Sequence, residues 1–502
     1  MKALLMYRDR DFDTKQEPPH QHTALLQDLE LDTLVAAMSG GDSFLTEVAQ
    51  KALLAGVQND IETIKYRQHN LMDCLNNREI VRSLYNITME TFEERRKKRF
   101  GVFSHSPSGV LYDSVELMQM YVVMLRRLRE VALASSNKFL SEGFKNFFAM
   151  LKEELAEDYL NEIEHHLKEL RFQEGILLSA ELGEDNAGIN YILRENHEKK
   201  PSWFSKILGQ RSPYHTFRID ERDEAGSRIL WSIQSRGINL VANTLAQSAD
   251  HVISFFETLR IELGFYVGCM NLNDKLSAKG EPVCFPHASP PGGRELSFKD
   301  LYDPALSLIM PNRAIGNSLI ANSKGLIVIT GANQGGKSIY LRSMGLAQLM
   351  MQCGMFVAAE AFNAEICANI FTHYKREEDR TMKHGKLDEE LSRMSDIVEY
   401  LMPNSLVLCN ESFAATNERE GSEIARQVID SLIEERMKVF YVTHLNDFAR
   451  RKFEKKSDNV LFLRAERKAD GTRTFKILEG EPQETSFGQD LYSKIFADPC
   501  HK

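Results

Sequence analysis

The stretch "LIVITGANQGGKSIYLRSMGLAQ", residues 326–348, limits what this chain can fold into more than any other part of it. A run of β-branched residues, Leu326–Thr330, reads as a buried strand, and Ile339–Gln348 reads as a helix. Between them Gly331, Ala332, Asn333, Gln334, Gly335, Gly336, Lys337 and Ser338 fit G-x-x-x-x-G-K-[ST] in full. A strand before and a helix after give that pattern a physical meaning. Glycines let backbone N–H groups face phosphate oxygens, and the helix N-terminus, opening at Ile339, adds positive potential. Lys337 would reach the β- and γ-phosphates, and the Ser338 hydroxyl would ligate Mg²⁺. The expected ligand is a nucleoside triphosphate, taken as ATP with Mg²⁺.

A site of this kind needs carboxylates at the end of a neighbouring strand. "NSLVLCNES" supplies a buried run, Leu406–Cys409, that ends in Asn410-Glu411. Glu411 would polarise the attacking water as general base. Asn410 stands where an aspartate usually helps hold Mg²⁺, and it keeps an oxygen but no charge. The expected metal set is therefore Ser338, Asn410 and Glu411. A third strand, "KVFYVTH", ends in His444, which is placed to sense the γ-phosphate and is assigned to catalysis with Glu411.

The chain has 502 residues, enough for two to four compact units. Hydrophobic content of 43% and charged content of 27% suit a globular protein with real cores. No run is long and apolar enough for a membrane span, and charge comes too early for a signal peptide. Seven scattered cysteines with no C-x-x-C spacing argue for reduced thiols, a cytoplasmic address and no zinc site. A net charge of −10 disfavours a purely electrostatic nucleic-acid binder.

Along the chain, residues 1–22 read as a flexible leader. Helical periodicity follows from Thr23 to about Thr91, broken at Gly40–Gly41 and Gly56. Residues 111–135 read as one long helix and 137–171 as another. "GILLSAELGEDNAGINYILRE", 175–195, reads as a hairpin around an Asn/Gly turn, and 214–230 reads the same way. Helical pattern resumes over 232–278. "PHASPPGGRE", 286–295, reads as the linker to an alternating strand–helix region with a parallel sheet.

The motifs together resemble one family. "TGANQGGKSIYLRSMGLAQLMMQCGMFVAAE" is similar to the phosphate loop of MutS-type DNA mismatch-repair ATPases, and "NSLVLCNESFAATNEREGSEIA" to their Walker B strand and the segment after it. "YVTHLNDFA" resembles their switch histidine segment, so the likeness spans 326–450. It implies an α + α/β fold. A helical core/lever domain over 23–285 would carry a small β clamp-like insertion at about 175–230, and a C-terminal P-loop ABC-type ATPase domain would occupy 296–502. It also implies a homodimer in which Lys337, Ser338 and Glu411 of one chain meet the signature segment near Gly385 and the loop Ala414–Thr416 of the other. On the same resemblance Ile309 falls where the family has an aromatic against the purine, and Asn312 joins the nucleotide-binding set. Departures are Asn410, Gly385 in place of a signature serine, and no room before residue 23 for a mismatch-reading domain. Phe92-Glu93-Glu94 has the mismatch-wedge spacing but lies in a charged helical run and reads as chance.

The resemblance implies slow hydrolysis of ATP to ADP and phosphate, coupled to clamping of duplex or branched DNA in repair or recombination. Candidate phosphate contacts are Arg95, Arg96, Lys97, Lys98 and Arg99, then Lys199, Lys200, Lys206 and Arg211, with Trp203 beside them. Two other readings stay open: a nucleotide-switched protein or ribonucleoprotein module that does not bind DNA, and an ATPase that binds without turnover, motivated by Asn410.

Overall fold

A computed structural model describes residues 1–57, 59–98, 106–173, 175–184, 187–194, 218–220, 222–376, 385–468 and 470–483. The architecture is α + α/β, with helices dominating the first half and two β-sheets the second. Two compact units divide the chain: Met1–Ala3, Arg82–Lys138 and Asn146–Arg260 form the first, and Leu4–Val81, Phe139–Lys145 and Ile261–Lys502 the second. This division does not follow the proline-rich stretch at 286–295.

In the first unit, helix Pro107–Ser135 starts where Ser106 accepts the Gly109 N–H and Pro107 sets the first turn. Its apolar face buries Met118, Tyr121, Val122, Leu125 and Leu128. Arg126 and Arg129 both reach Glu157 of helix Glu157–Glu169, at 3.0 and 3.1 Å. The expected single helix over 137–171 is in fact two, Glu142–Glu154 and Glu157–Glu169, after a 3₁₀ turn at Ser136–Lys138. Strands β1 (Leu177–Leu182) and β2 (Gly188–Arg194) form an antiparallel hairpin, as its Asn/Gly turn predicts. Leu178 of β1 sits so close to Gly237 that a Cβ there would lie 2.4 Å from it. The second hairpin, at 214–230, is not formed in its latter part. Glu224–Ala278 is one 55-residue helix, and Asp223 accepts the Gly226 N–H at 2.9 Å in the manner of an N-terminal cap. Residues 195–217, with Lys199, Lys200, Trp203, Lys206 and Arg211, lie outside the described residues, as does Arg99.

The second unit packs helices His22–Asp28, Leu31–Ser39, Ser43–Gly56 and Ile61–Asn76 with two sheets. The smaller sheet has order β3-β7-β4-β5, from His287–Ser289, Ala361–Glu365, Leu296–Leu301 and Asn317–Ile320. The expected linker thus contains a strand: β3 pairs in parallel with β7, and Glu365 accepts the Gly292 and Arg294 N–H groups that follow it. The larger sheet has order β12-β11-β6-β10-β9-β8, from Arg473–Glu479, Val460–Arg467, Leu326–Thr330, Lys438–Val442, Leu406–Asn410 and Ile370–Tyr374. All pairs but β11–β12 are parallel. Strands β6, β10 and β9 are buried on both faces, which is why they read as unbroken apolar runs rather than alternating ones. Helix Lys337–Gln352 is almost wholly buried over this sheet, and Gly345 lets it close on Leu408, where a Cβ would come within 2.6 Å.

The first part of the expected leader is core. Leu5, Met6, Tyr7 and Phe12 are buried, and their backbone is held by side chains of two helices. Glu262 accepts the Leu5 and Phe12 N–H groups at 2.6 and 2.8 Å. Tyr66 donates to Leu4 O, Arg67 to Met6 O and Tyr266 to Leu5 O. The charged residues between them hid this apolar set. Burial, opposed by those N–H bonds, pushes the Glu262 carboxyl up to about 7.

Glu262→Ala leaves the two N–H groups without partners and should cost on the order of 2–4 kcal/mol in urea unfolding. Because the folded carboxyl titrates above its unfolded value, its titration-linked contribution is full below pH about 4.5 and is lost as pH rises through about 7. The stability gap between wild type and Glu262→Ala should therefore narrow between those pH values. A gap that widens would contradict this assignment.

Candidate functional site

Parallel pairing brings the carboxyl ends of β8, β9, β6 and β10 to one edge of the sheet, the usual place for a ligand in such folds. From β6 the chain enters the glycine loop. Gly331 has φ +115°, and a Cβ on it would lie 2.9 Å from both Ala465 N and Gln483 Oε1, so both conformation and space require glycine. Gly336, with φ +88°, opens helix Lys337–Gln352. The Lys337 ammonium folds back over the loop and donates to Gly331 O and Ala332 O, each at 2.9 Å. Burial, helped by Arg473 and opposed by Glu411, pulls this lysine down to about 8.

From β9 come Asn410 and Glu411. Ser338 Oγ donates to Asn410 Oδ1 at 3.0 Å, which joins the two halves of the expected metal set. Glu411 has φ +54° and its N–H donates to Val442 O at 2.8 Å, so the turn after β9 is pinned to β10. Its carboxylate meets His444 Nε2 at 3.2 Å and Lys375 Nζ at 3.9 Å. The hydrogen bond to His444, ahead of the charges of Lys375 and Lys337, holds Glu411 below the usual carboxylate range. A group so placed is ionised at neutral pH.

The structure therefore brings Gly331, Lys337, Ser338, Asn410, Glu411 and His444 into one cluster. Asn333 belongs to it through its carbonyl, which accepts from Arg473 Nε at 2.8 Å. Gly335 packs against Ala465, Ala332 is buried, and Gln334 takes φ +58° at the loop crest. Ile339 follows in the first helical turn. Ile309, the last residue of helix Pro304–Ile309, and Asn312, beyond it, are both exposed. Their segment is tied to β12, since Lys476 donates to Gly316 O and Asn317 accepts from Ile477 N. Gly385 caps helix Lys386–Glu399 with open space about its Cα. Thr416 donates to Glu420 at 2.6 Å. Phe92 lies in helix Arg78–Lys98 with Arg260 5.2 Å over its ring. Lys97 and Lys98 pair with Glu94 and Glu116.

Several residues at the site were not read from the sequence. Lys375 directly follows β8, and its N–H donates to Asn410 O at 2.9 Å. Arg473 and Phe475 come from β12, whose pairing to β11 no local pattern announces; Phe475 stands 3.6 Å from a Cβ on Gly336. His373 is buried behind Glu411 and contacts Ser412 Oγ at 2.7 Å and Glu390 O at 2.9 Å. A carbonyl only accepts, so in the neutral ring that burial enforces, with its pKa lowered to about 4, Nε2 carries the proton, and the one Ser412 hydroxyl proton is shared between Nδ1 and His373 O, which lies 2.8 Å from Ser412 Oγ. The one signal for it was a histidine inside the buried run "IFTHY". Among the described residues no group of three or more His, Cys, Asp or Glu side chains could hold a metal. Nor is any helix there long and apolar enough to cross a membrane.

Residues 59–279 match the MutS2 N-terminal domain family, and residues 327–497 match MutS domain V. MutS protein homolog 4 of Mus musculus is 25% identical over 257 residues, covering 49% of this chain and 25% of that protein. Endonuclease MutS2 of Lactobacillus gasseri is 30% identical over 220 residues, 41% of this chain and 27% of its own length. DNA mismatch repair protein MutS of Clostridium botulinum is 31% identical over 189 residues, 35% of this chain and 19% of that one. The chain thus spans about a quarter of the length of the curated relatives it matches. Both family matches cover stretches whose elements are described above, and the chain belongs to the MutS family.

Proposed function

We propose that this chain binds ATP on the loop Gly331–Ser338 and hydrolyses it slowly, with nucleotide state coupled to the holding of duplex or branched DNA. The observation that carries the first half is the Ser338–Asn410–Glu411–His444 array, in which a phosphate-loop hydroxyl, a strand-end amide, an ionised carboxylate and a histidine meet at one sheet edge. Glu411 is the general base, and His444 orients its carboxylate and lies where the γ-phosphate would come. Lys337 would exchange its two carbonyl partners for phosphate oxygens.

Mg²⁺ would be held by Ser338, Asn410 and Glu411 and would neutralise β- and γ-phosphate oxygens. The donor chemistry fits it only as a passenger of the nucleotide. Ser338 and Asn410 are neutral, and Glu411 already shares its carboxylate with His444 and Lys375. Mg²⁺ sites ordinarily draw on one or two carboxylates besides the phosphates. Slow turnover is the expected consequence.

The DNA half rests on family membership, on relatives whose names are DNA mismatch repair protein and endonuclease, and on the hairpin β1–β2, whose Leu177, Leu182, Ile189 and Ile192 are exposed. A homodimer is part of this reading: exposed Gly385 and the loop Ala414–Thr416 are the segments that would complete a partner's site.

Steady-state hydrolysis with no DNA, duplex, mismatched duplex or four-way junction, each at two salt concentrations, tests the proposal. We expect stimulation by one DNA form, falling steeply with salt as phosphate contacts do. Glu411→Gln should lower turnover by about a hundredfold or more while ATP still binds. Turnover indifferent to every nucleic acid would contradict the DNA half and favour a nucleotide-switched protein module. ATP bound but never hydrolysed would contradict the enzymatic half.

A further inference from the structure

Resting on that nucleotide-site reading, we propose that Lys375 is a second phosphate-binding cation, so that this site holds the triphosphate of ATP without needing a divalent metal. The register Tyr374↔Asn410 and the Lys375 N–H bond to Asn410 O place Lys375 directly beside the Asn410-Glu411 strand end. Its ammonium reaches Glu411 at 3.9 Å, on the same carboxylate that His444 holds from the other oxygen.

The charge of the site follows from its residues. A phosphate loop that pairs one lysine with an aspartate and a glutamate is negative and calls for a metal. Here the position usually held by an aspartate is Asn410, the charges of Lys375 and Lys337 act on the single carboxylate of Glu411, and Arg473 is bound to the loop carbonyl of Asn333 at 2.8 Å. A cation-rich cluster of this kind attracts a polyphosphate directly, and each ammonium does part of what a metal ion would do for the phosphate oxygens.

Lys375 is free to make that exchange. It is half-exposed, and an ion pair at 3.9 Å on such a side chain contributes little to folding. The neighbouring Arg376 is otherwise employed, bound to the buried carboxylate of Asp28 at 2.6 Å. Strand β8 is thus followed by one structural cation and one that faces the site.

The test is titration of a fluorescent ATP analogue in excess Mg²⁺ and in excess EDTA, with thermal unfolding as a check that each variant is folded. Wild type should bind in EDTA within about threefold of its affinity in Mg²⁺. Lys375→Met should weaken binding in EDTA by about tenfold or more, and by less in Mg²⁺. Asn410→Asp should make binding depend on Mg²⁺. A wild-type chain that binds only with Mg²⁺, or a folded Lys375→Met chain as tight as wild type in EDTA, would overturn this inference and leave the nucleotide site standing. Failure of wild type to bind under both conditions would remove the nucleotide-site reading and this inference with it.

Discussion

The parallel register that sets Val439–Val442 and Val460–Arg464 against Leu326–Thr330 is the constraint on which the site depends. Parallel strands end on the same side, so the strand pairing delivers Gly331, Lys375, Asn410 and His444 to a common edge from positions at least 34 apart in the chain. β6 and β10 can keep that register because they are buried on both faces, while β11 buries alternate residues Leu461, Leu463 and Ala465, and none can slip without exposing apolar side chains. Gly331 then turns the chain away from β6 at a φ that other residues rarely adopt, and helix Lys337–Gln352 covers the sheet.

Electrostatics decide what the edge does next. Glu411 sits among His444, Lys375 and Lys337, which keeps it ionised; burial, against the pull of Glu411, makes Lys337 easier to deprotonate than a surface lysine. The loss of one aspartate charge at Asn410 leaves cations in excess. On the function proposed, a site so charged would favour a polyphosphate over a metal, which would separate affinity for ATP from the rate of its hydrolysis. That separation would make the chain a slow switch whose lifetime in the bound state is long.

The glycine loop between β6 and helix Lys337–Gln352 was legible because its pattern is local: glycine, lysine and serine at fixed spacing between an apolar run and a helical one. Glu411 and His444 were legible for a related reason, since each closes an apolar run that only a buried strand explains. Lys375, Arg473 and Phe475 were not, because they reach the site through strand order, and strand order is a long-range property. The N-terminal segment failed differently. Leu5, Met6, Tyr7 and Phe12 are interleaved with Arg8, Asp9, Arg10 and Asp11, and they match no helix or strand period because they are held by side chains of other helices. Proline and glycine at 290–293 suggested a linker, yet His287–Ser289 found a partner strand 76 positions later.

The most direct test of the central claim is backbone hydrogen exchange across residues 326–345 with and without ATP, in wild type and in Lys337→Met. If the loop is the nucleotide site, ATP should slow exchange over residues 332–340 in wild type and leave Lys337→Met unchanged. Protection that appears elsewhere in the chain, or equally in the lysine variant, would contradict it.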